Sequence, residues 1–257
     1  MSENLDLESF KKSQRLSYEC AVAIRAELKE GWTEKQTAKL MDTYLRDFGV
    51  KTFFHKSFAW FGERSRFQDF SNYLQFLPSG RRLQPDDVVI LDTAPILNGF
   101  TSDIGYTFSL KPNNELDRAM KLLREFRVQI PKLFESSLKT DEIWKKIDLD
   151  LKAAGYANCH EQYPFSVLAH QVHHVPLSNW PGLTIPFSLH AYWSILSRGV
   201  KPELLGPKNV CAKKGLWAVE PHLGGKGFGA KFEEILVVEE GGHAYWLDDD
   251  VPHMRAL

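Results

Sequence analysis

Apolar positions recur at helical spacing over residues 5–29, where Leu16, Cys20, Val22, Ile24 and Leu28 stand among good helix formers. Gly31 breaks the run, and Thr33-Glu34-Lys35-Gln36 forms a capping box that opens a second helix. Met41, Tyr44, Leu45 and Phe48 carry the apolar face of that helix, and Gly49 closes it. The pattern returns further along the chain. Thr140-Asp141-Glu142 opens a helix with Ile143, Ile147 and Leu151 on one face, and Gly155 ends it. Strand patterns follow each helical region. Residues 87–110 read as two strands around Asn98-Gly99, one of the strongest short hairpin signals, and residues 215–239 as two more around a Gly-rich turn. The stretch 175–209 predicts surface loop around a short helix. Helix–hairpin followed by helix–hairpin predicts a single α+β domain over 1–257 with internal pseudo-symmetry. Its parts are a helical N-terminal segment of about 5–49, a first half to about 130 and a second half of about 131–257.

Composition narrows the class. Hydrophobic residues are 43% of the 257 and charged ones 25%, enough for a sizeable core without disulfides, which excludes disordered, collagen-like and coiled-coil chains. Lys plus Arg number 32 against 33 for Asp plus Glu, so no basic excess exists to neutralise phosphates and no nucleic-acid partner is expected. No apolar run nears the ~18–20 residues that span a bilayer, and the N-terminus lacks the apolar core of a secretory signal. Cys20, Cys159 and Cys211 are isolated from one another, which fits a reducing cytoplasm.

The candidate chemistry lies in the hairpins. With Asn98 and Gly99 as turn residues, Leu97 faces Phe100, Pro95 faces Ser102 and Ala94 faces Asp103. Asp92 shares a face with Ala94, so Asp92 and Asp103 become diagonal neighbours on one face, roughly 7–8 Å apart in backbone terms. Two carboxylates converging on an apolar hairpin repel each other unless a cation sits between them. In the second hairpin Glu220 and Glu233 break into strands that otherwise want burial, and Glu234 competes with Glu233 for the inward position. Four carboxylates exceed what one divalent ion needs and suit two. Oxygen ligands with one imidazole favour Mn²⁺, Co²⁺ or Fe²⁺, with Zn²⁺ an option. The imidazole comes from the 160–180 stretch, where His170, His173 and His174 crowd together. His222, two residues after Glu220, and His55, in FFHKSF, are candidates to line a substrate pocket. Cys159-His160 is set aside as a nucleophile pair because strand neighbours face opposite ways, and GGKGFG at 224–229 lacks the ending of a phosphate loop.

Asp92 and Asp103 within LDTAPILNGFTSDIGYTF, the histidine of VLAHQV, then VEP and FEE resemble, in order and spacing, the pita-bread metallopeptidases. That family includes methionine aminopeptidase, aminopeptidase P, prolidase and creatinase. The similarity runs from EGWTE to the final strand and looks closest to short members without the extra N-terminal domain. The resemblance implies two pseudo-symmetric helix–hairpin halves around a curved antiparallel sheet. It implies that Asp92 chelates one metal, that His170 and Glu220 hold the other, and that Asp103 and Glu233 bridge them, which favours Glu233 over Glu234. Glu220 would double as the acid/base beside a metal-bridging hydroxide. Two departures stand out. Family peptidases carry substrate-site histidines where this chain has Gln75 and Leu177; Gln75 can donate a hydrogen bond and Leu177 cannot. His173 or His174 could take the missing role, since His173-His174-Val175-Pro176 also resembles the family's His-Xaa-Xaa-Pro.

The resulting expectation is a dinuclear metal-dependent hydrolase, an aminopeptidase or Xaa-Pro-type dipeptidase, with a peptide or small amide as substrate. A homodimer is the open option for its assembly, with no membrane partner. Two rival readings are a creatinase-like hydrolase of a small non-peptide C–N bond and a non-catalytic binding protein on the same fold.

Overall fold

The computed structural model describes residues 6–175, 199 and 201–255. Helix α1 (Leu7–Glu27) starts where the Asp6 carboxylate accepts from Ser9 N–H. Helix α2 (Glu34–Asp47) starts at the expected capping box: Thr33 accepts from Gln36 N–H while Gln36 accepts from Thr33 N–H. Gly49, at φ +93°, lets the chain turn away from the end of α2. Both helices lay apolar faces, including Leu16, Ile24, Met41 and Leu45, on Phe53, Leu91, Ile104 and Tyr106 of the first sheet.

That sheet comprises β1 (Thr52–Phe61), β2 (Val88–Leu97), β3 (Phe100–Thr101) and β4 (Ile104–Ser109), with β1 on one edge of β2 and β3 and β4 along the other. The turn is the expected one: Asn98 and Gly99 both have positive φ, Leu97 pairs with Phe100, and Asp92 pairs with Gly105. Strand β1, rich in aromatics, was not anticipated from the residue pattern.

Helix α3 (Asn114–Glu135) is likewise beyond the elements that the pattern predicts. Asn113 caps it by accepting from Glu115 and Leu116 N–H. It contains Pro131, which has no N–H for the carbonyl of Arg127; the Trp246 indole donates to that carbonyl instead, at 2.7 Å. Helix α4 (Thr140–Ala153) follows, and with α3 it packs Leu123, Phe126, Phe134 and Ile147 against Leu168, Trp217, Val219 and Leu236 in a second core.

Residues 215–239, expected as two strands, form four: β8 (Gly215–Val219), β9 (His222–Gly224), β10 (Gly229–Lys231) and β11 (Glu234–Val238). The breaks fall at Glu220-Pro221 and Phe232-Glu233. Pro221 has no N–H to donate to a ladder, and past it the strands change partners. Strands β8 and β11 belong to a five-stranded sheet with β6 (Ala169–Gln171), β7 (Leu204–Leu205) and β12 (Ala244–Trp246), ordered β12-β11-β8-β6-β7. Strands β9 and β10 form a three-stranded sheet with β5 (Ala157–Asn158). Most of the stretch expected as loop and short helix over 175–209, with Leu177, lies outside the described residues. Among the described residues no helix is long and apolar enough to cross a membrane.

Candidate metal centre

Each hairpin delivers its carboxylates at or beside an interruption in its ladder. Asp103 lies in the gap between β3 and β4, Glu220 just past β8, and Glu233 just before β11; Asp92 faces them from β2. Glu233 is tied to the first hairpin by its own backbone, its N–H donating to Gly105 O at 3.3 Å. All four side chains are buried. Strand β6 adds His170, and β1 adds His55 at a place where its register against β2 shifts.

The contacts interlock. His170 Nε2 lies 3.2 Å from Asp103 Oδ2 and 3.9 Å from Glu233 Oε1. His55 Nε2 lies 3.2 Å from Asp103 Oδ1 and 3.5 Å from Asp92 Oδ1. Three triads, each with ligand atoms within 4.8 Å of one another, share these residues: His55–Asp92–Asp103, Asp103–His170–Glu233 and Asp92–Glu220–Glu233. Phe54 stacks on His170 and Phe58 on His55, which orients the imidazoles and walls them from water.

Buried carboxylate oxygens with imidazole nitrogens are the donor set of a divalent ion. The first two triads fit one. The third already surrounds a cation: Lys231 Nζ donates to Asp92 Oδ2 at 2.5 Å and to Glu220 Oε2 and Glu233 Oε2 at 2.8 Å each. Nothing in the sequence reading singled out Lys231. Its signal is a lysine two residues before a candidate ligand in an otherwise apolar run.

The electrostatics separate the acids. Burial alone would raise Asp103, but His55 and His170 beside it hold it well below the usual carboxylate range. Burial lifts Glu220, and it lifts Glu233 further because Asp103 and Glu220 crowd it with like charge. Burial works against the charge on Lys231, and three carboxylates more than offset it, so its pKa stands well above the ordinary value. His55 is likewise pushed up to about 9, Asp103 outweighing burial.

A family model described as metallopeptidase family M24 matches residues 8–240. The chain belongs to family M24. Solved structures agree on its fold. A dipeptidase from Pyrococcus horikoshii superposes with a TM-score of 0.70 at 17% identity, over 96% of this chain and 61% of that one. An X-Pro aminopeptidase from Thermotoga maritima gives 0.67 at 16%, over 96% and 62%. The dipeptidase PepE from Mycobacterium ulcerans gives 0.68 at 18%, over 98% and 59%. The chain thus spans about 60% of the length of these structures. No curated protein sequence matches it. The expected pita-bread architecture, α+β with antiparallel sheets, is the fold of this M24 chain.

The remaining candidates of the M24 chain fall in different places. Glu234, the neighbour of Glu233, faces away: Arg127 grips it with two 2.8 Å hydrogen bonds, and His253 Nε2 lies 2.7 Å from it. His173 pairs with Glu203, and the exposed His174 ring packs at a tilt on Phe100 beside the hairpin turn; neither contacts a carboxylate of the centre. The Gln75 side-chain oxygen accepts from Ser71 and Asn72 N–H and caps its own loop. Its oxygen is therefore committed locally rather than offered to a substrate. His222 is fully buried, and its partners fix its tautomer: Nε2–H donates to Ser65 O at 2.7 Å, so Nδ1 accepts from the Tyr163 hydroxyl at 3.1 Å. The Tyr163 oxygen in turn accepts from Lys231 Nζ at 3.3 Å. His222 thus touches the centre through Tyr163 and Lys231. Cys159 is buried, which pushes its thiol up to about 12 and disarms it as a nucleophile.

Proposed function

We propose that this M24 chain is a metal-dependent hydrolase of amide bonds, acting near the N-terminus of peptides or on dipeptides, Xaa-Pro bonds included. One observation carries the reading: Asp92, Asp103, His170, Glu220 and Glu233, in family order, converge from two hairpins and a third strand on one buried cluster. Divalent ions bound there, Mn²⁺, Co²⁺ or Fe²⁺ by ligand type with Zn²⁺ as an alternative, polarise a carbonyl and lower the pKa of water. Asp103, held low by its histidines, is suited to stay anionic as a metal ligand. Glu220, lifted by burial, holds a proton more readily than an ordinary carboxyl does. It is suited to take a proton from water and pass it to the leaving amine nitrogen. Three free cysteines fit a reducing cytoplasm.

Purified protein supplied with Mn²⁺ or Co²⁺ should hydrolyse members of a panel of Xaa-Pro dipeptides, free N-terminal tripeptides and small amides. Glu220→Gln should lower kcat by about 10²–10⁴. Metal binding without turnover on any panel member would refute the enzyme reading in favour of a binding role. A second reading, hydrolysis of a small non-peptide C–N bond, is favoured by Gln75, whose oxygen is committed to its own loop. Turnover of small amides but of no peptide would select it.

A further inference from the structure

We infer that Lys231 is a built-in cation occupying one of the two metal positions of the centre, so that the chain binds a single divalent ion tightly, at Asp103, His170 and Glu233. The inference rests on the metallohydrolase reading above.

An ammonium has three N–H donors, and Lys231 Nζ meets three carboxylates within 2.8 Å, with the Tyr163 oxygen at 3.3 Å beside them. The lysine is seated along its whole length. The Thr107 hydroxyl donates to the Lys231 carbonyl at 2.6 Å and accepts from its N–H at 3.0 Å, so the backbone is held from the neighbouring strand. Its stem crosses β4 at Gly105, where a Cβ would lie 2.3 Å from Lys231 Cε; the absent side chain is what gives the lysine its path. The ammonium is almost fully shielded from water, at 1% side-chain exposure.

Carboxylate oxygens are divided accordingly. Asp92 and Glu233 each give one oxygen to Lys231 and turn the other toward an imidazole, His55 and His170 respectively. Asp103 gives nothing to the lysine and faces both histidines. An ion among Asp92, Glu220 and Glu233 would compete with the ammonium for the same oxygens and repel it at close range in a dry site. The triad Asp103–His170–Glu233 avoids most of that conflict: Asp103 and the His170 imidazole are clear of the lysine, Glu233 still has Oε1 to offer, and His55 is a further nitrogen beside Asp103.

The test is metal counting with Mn²⁺ alone, on the full chain. Elemental analysis after dialysis should find one ion in the unmodified protein, whose Mn²⁺ resonance spectrum should be that of an isolated ion. Lys231→Met should hold two ions and give the spectrum of a coupled pair, while Lys231→Arg should keep one. Equal counts in unmodified protein and Lys231→Met overturn the inference. Two and two would leave the metallohydrolase reading standing; zero and zero would remove that reading as well. Should Lys231→Met fail to fold, the unmodified protein at saturating Mn²⁺ decides: an isolated-ion spectrum supports the inference, and a coupled pair overturns it.

Discussion

The first hairpin reaches the centre with two aspartates from a strand pair whose register holds from Asp92 to the Asn98-Gly99 turn. The second reaches it with two glutamates from strands that divide between two sheets at the acids themselves. Short side chains suit the first case, because an unshifted register on both sides of the gap at Asp103 brings the backbone close. Longer arms suit the second, where the backbone has turned aside at Pro221. The difference extends to charge. Asp103 is flanked by imidazoles and held low, whereas Glu220 and Glu233 have each other, burial and one lysine, and are raised. Two halves of similar plan therefore supply unlike chemistry: a firm anion from one and carboxyls of raised proton affinity from the other.

The largest effect should come from the firm anion. Asp103→Asn should weaken Mn²⁺ binding by about 100-fold or more, beyond the range seen for residues that merely support a ligand. Equilibrium dialysis measures it, and unchanged affinity would end the assignment of Asp103 as a metal ligand. Next comes the clamp that sets the second hairpin's facing. Arg127→Met leaves Glu234 buried with only His253 opposite it, and should cost about 3–5 kcal/mol in urea unfolding. A cost below 1 kcal/mol would mean that the facing of Glu233 and Glu234 is set elsewhere.

A third effect is one of pH. His160, buried against the edge of Trp144 with its Nε2 unpartnered, has its pKa lowered to about 3 by burial. The folded state therefore prefers the neutral ring, and that preference is fully in force above the unfolded value near 6.5. As pH falls below 6.5, the unfolded chain takes up the proton and stability declines by about 1.4 kcal/mol per unit, or about 2 kcal/mol by pH 5. His160→Phe should flatten that slope by this amount in denaturation curves at pH 7 and pH 5. The smallest effect compares the corresponding helix starts. Thr33→Ala should cost about 1 kcal/mol by removing a reciprocal box. Glu142→Ala should cost less, since Glu142 accepts from Lys139 N–H but the lysine side chain has no acceptor to return the bond. Thermal unfolding of both variants side by side would show whether the halves are capped as unequally as they look.

Much of this was legible in the residues because local rules governed it. The Asn-Gly turn fixed a register that carried Asp92 and Asp103 to one face, and the Thr33 box placed α2 to the residue. The Gly-rich turn of the second hairpin offers no such anchor, so the residue pattern leaves Glu233 and Glu234 even; the resemblance favours Glu233, and a distant arginine on α3 holds Glu234 away from the centre. Lys231 was hidden for a related reason. A buried lysine is recognisable only once its three acid partners, 2 to 139 residues away in sequence, are brought around it. The histidine cluster is ambiguous by residue type alone, since three histidines crowd 170–174; the order VLAHQV points to His170 as the ligand, and of the three it is His170 that lies against Asp103.

The short bridge from Glu233 to Gly105, with the Thr107–Lys231 pair beside it, runs along the line where the two halves of the fold meet. The centre is thus the seam of the molecule as well as its chemistry, and a metal ion shared by Asp103 and Glu233 would act as a staple across it. A bound ion at a hundred times its dissociation constant would add about 2.7 kcal/mol to the folded state. A chain nicked between Ser109 and Asn114 should then hold its two pieces together in metal and release them to a chelator.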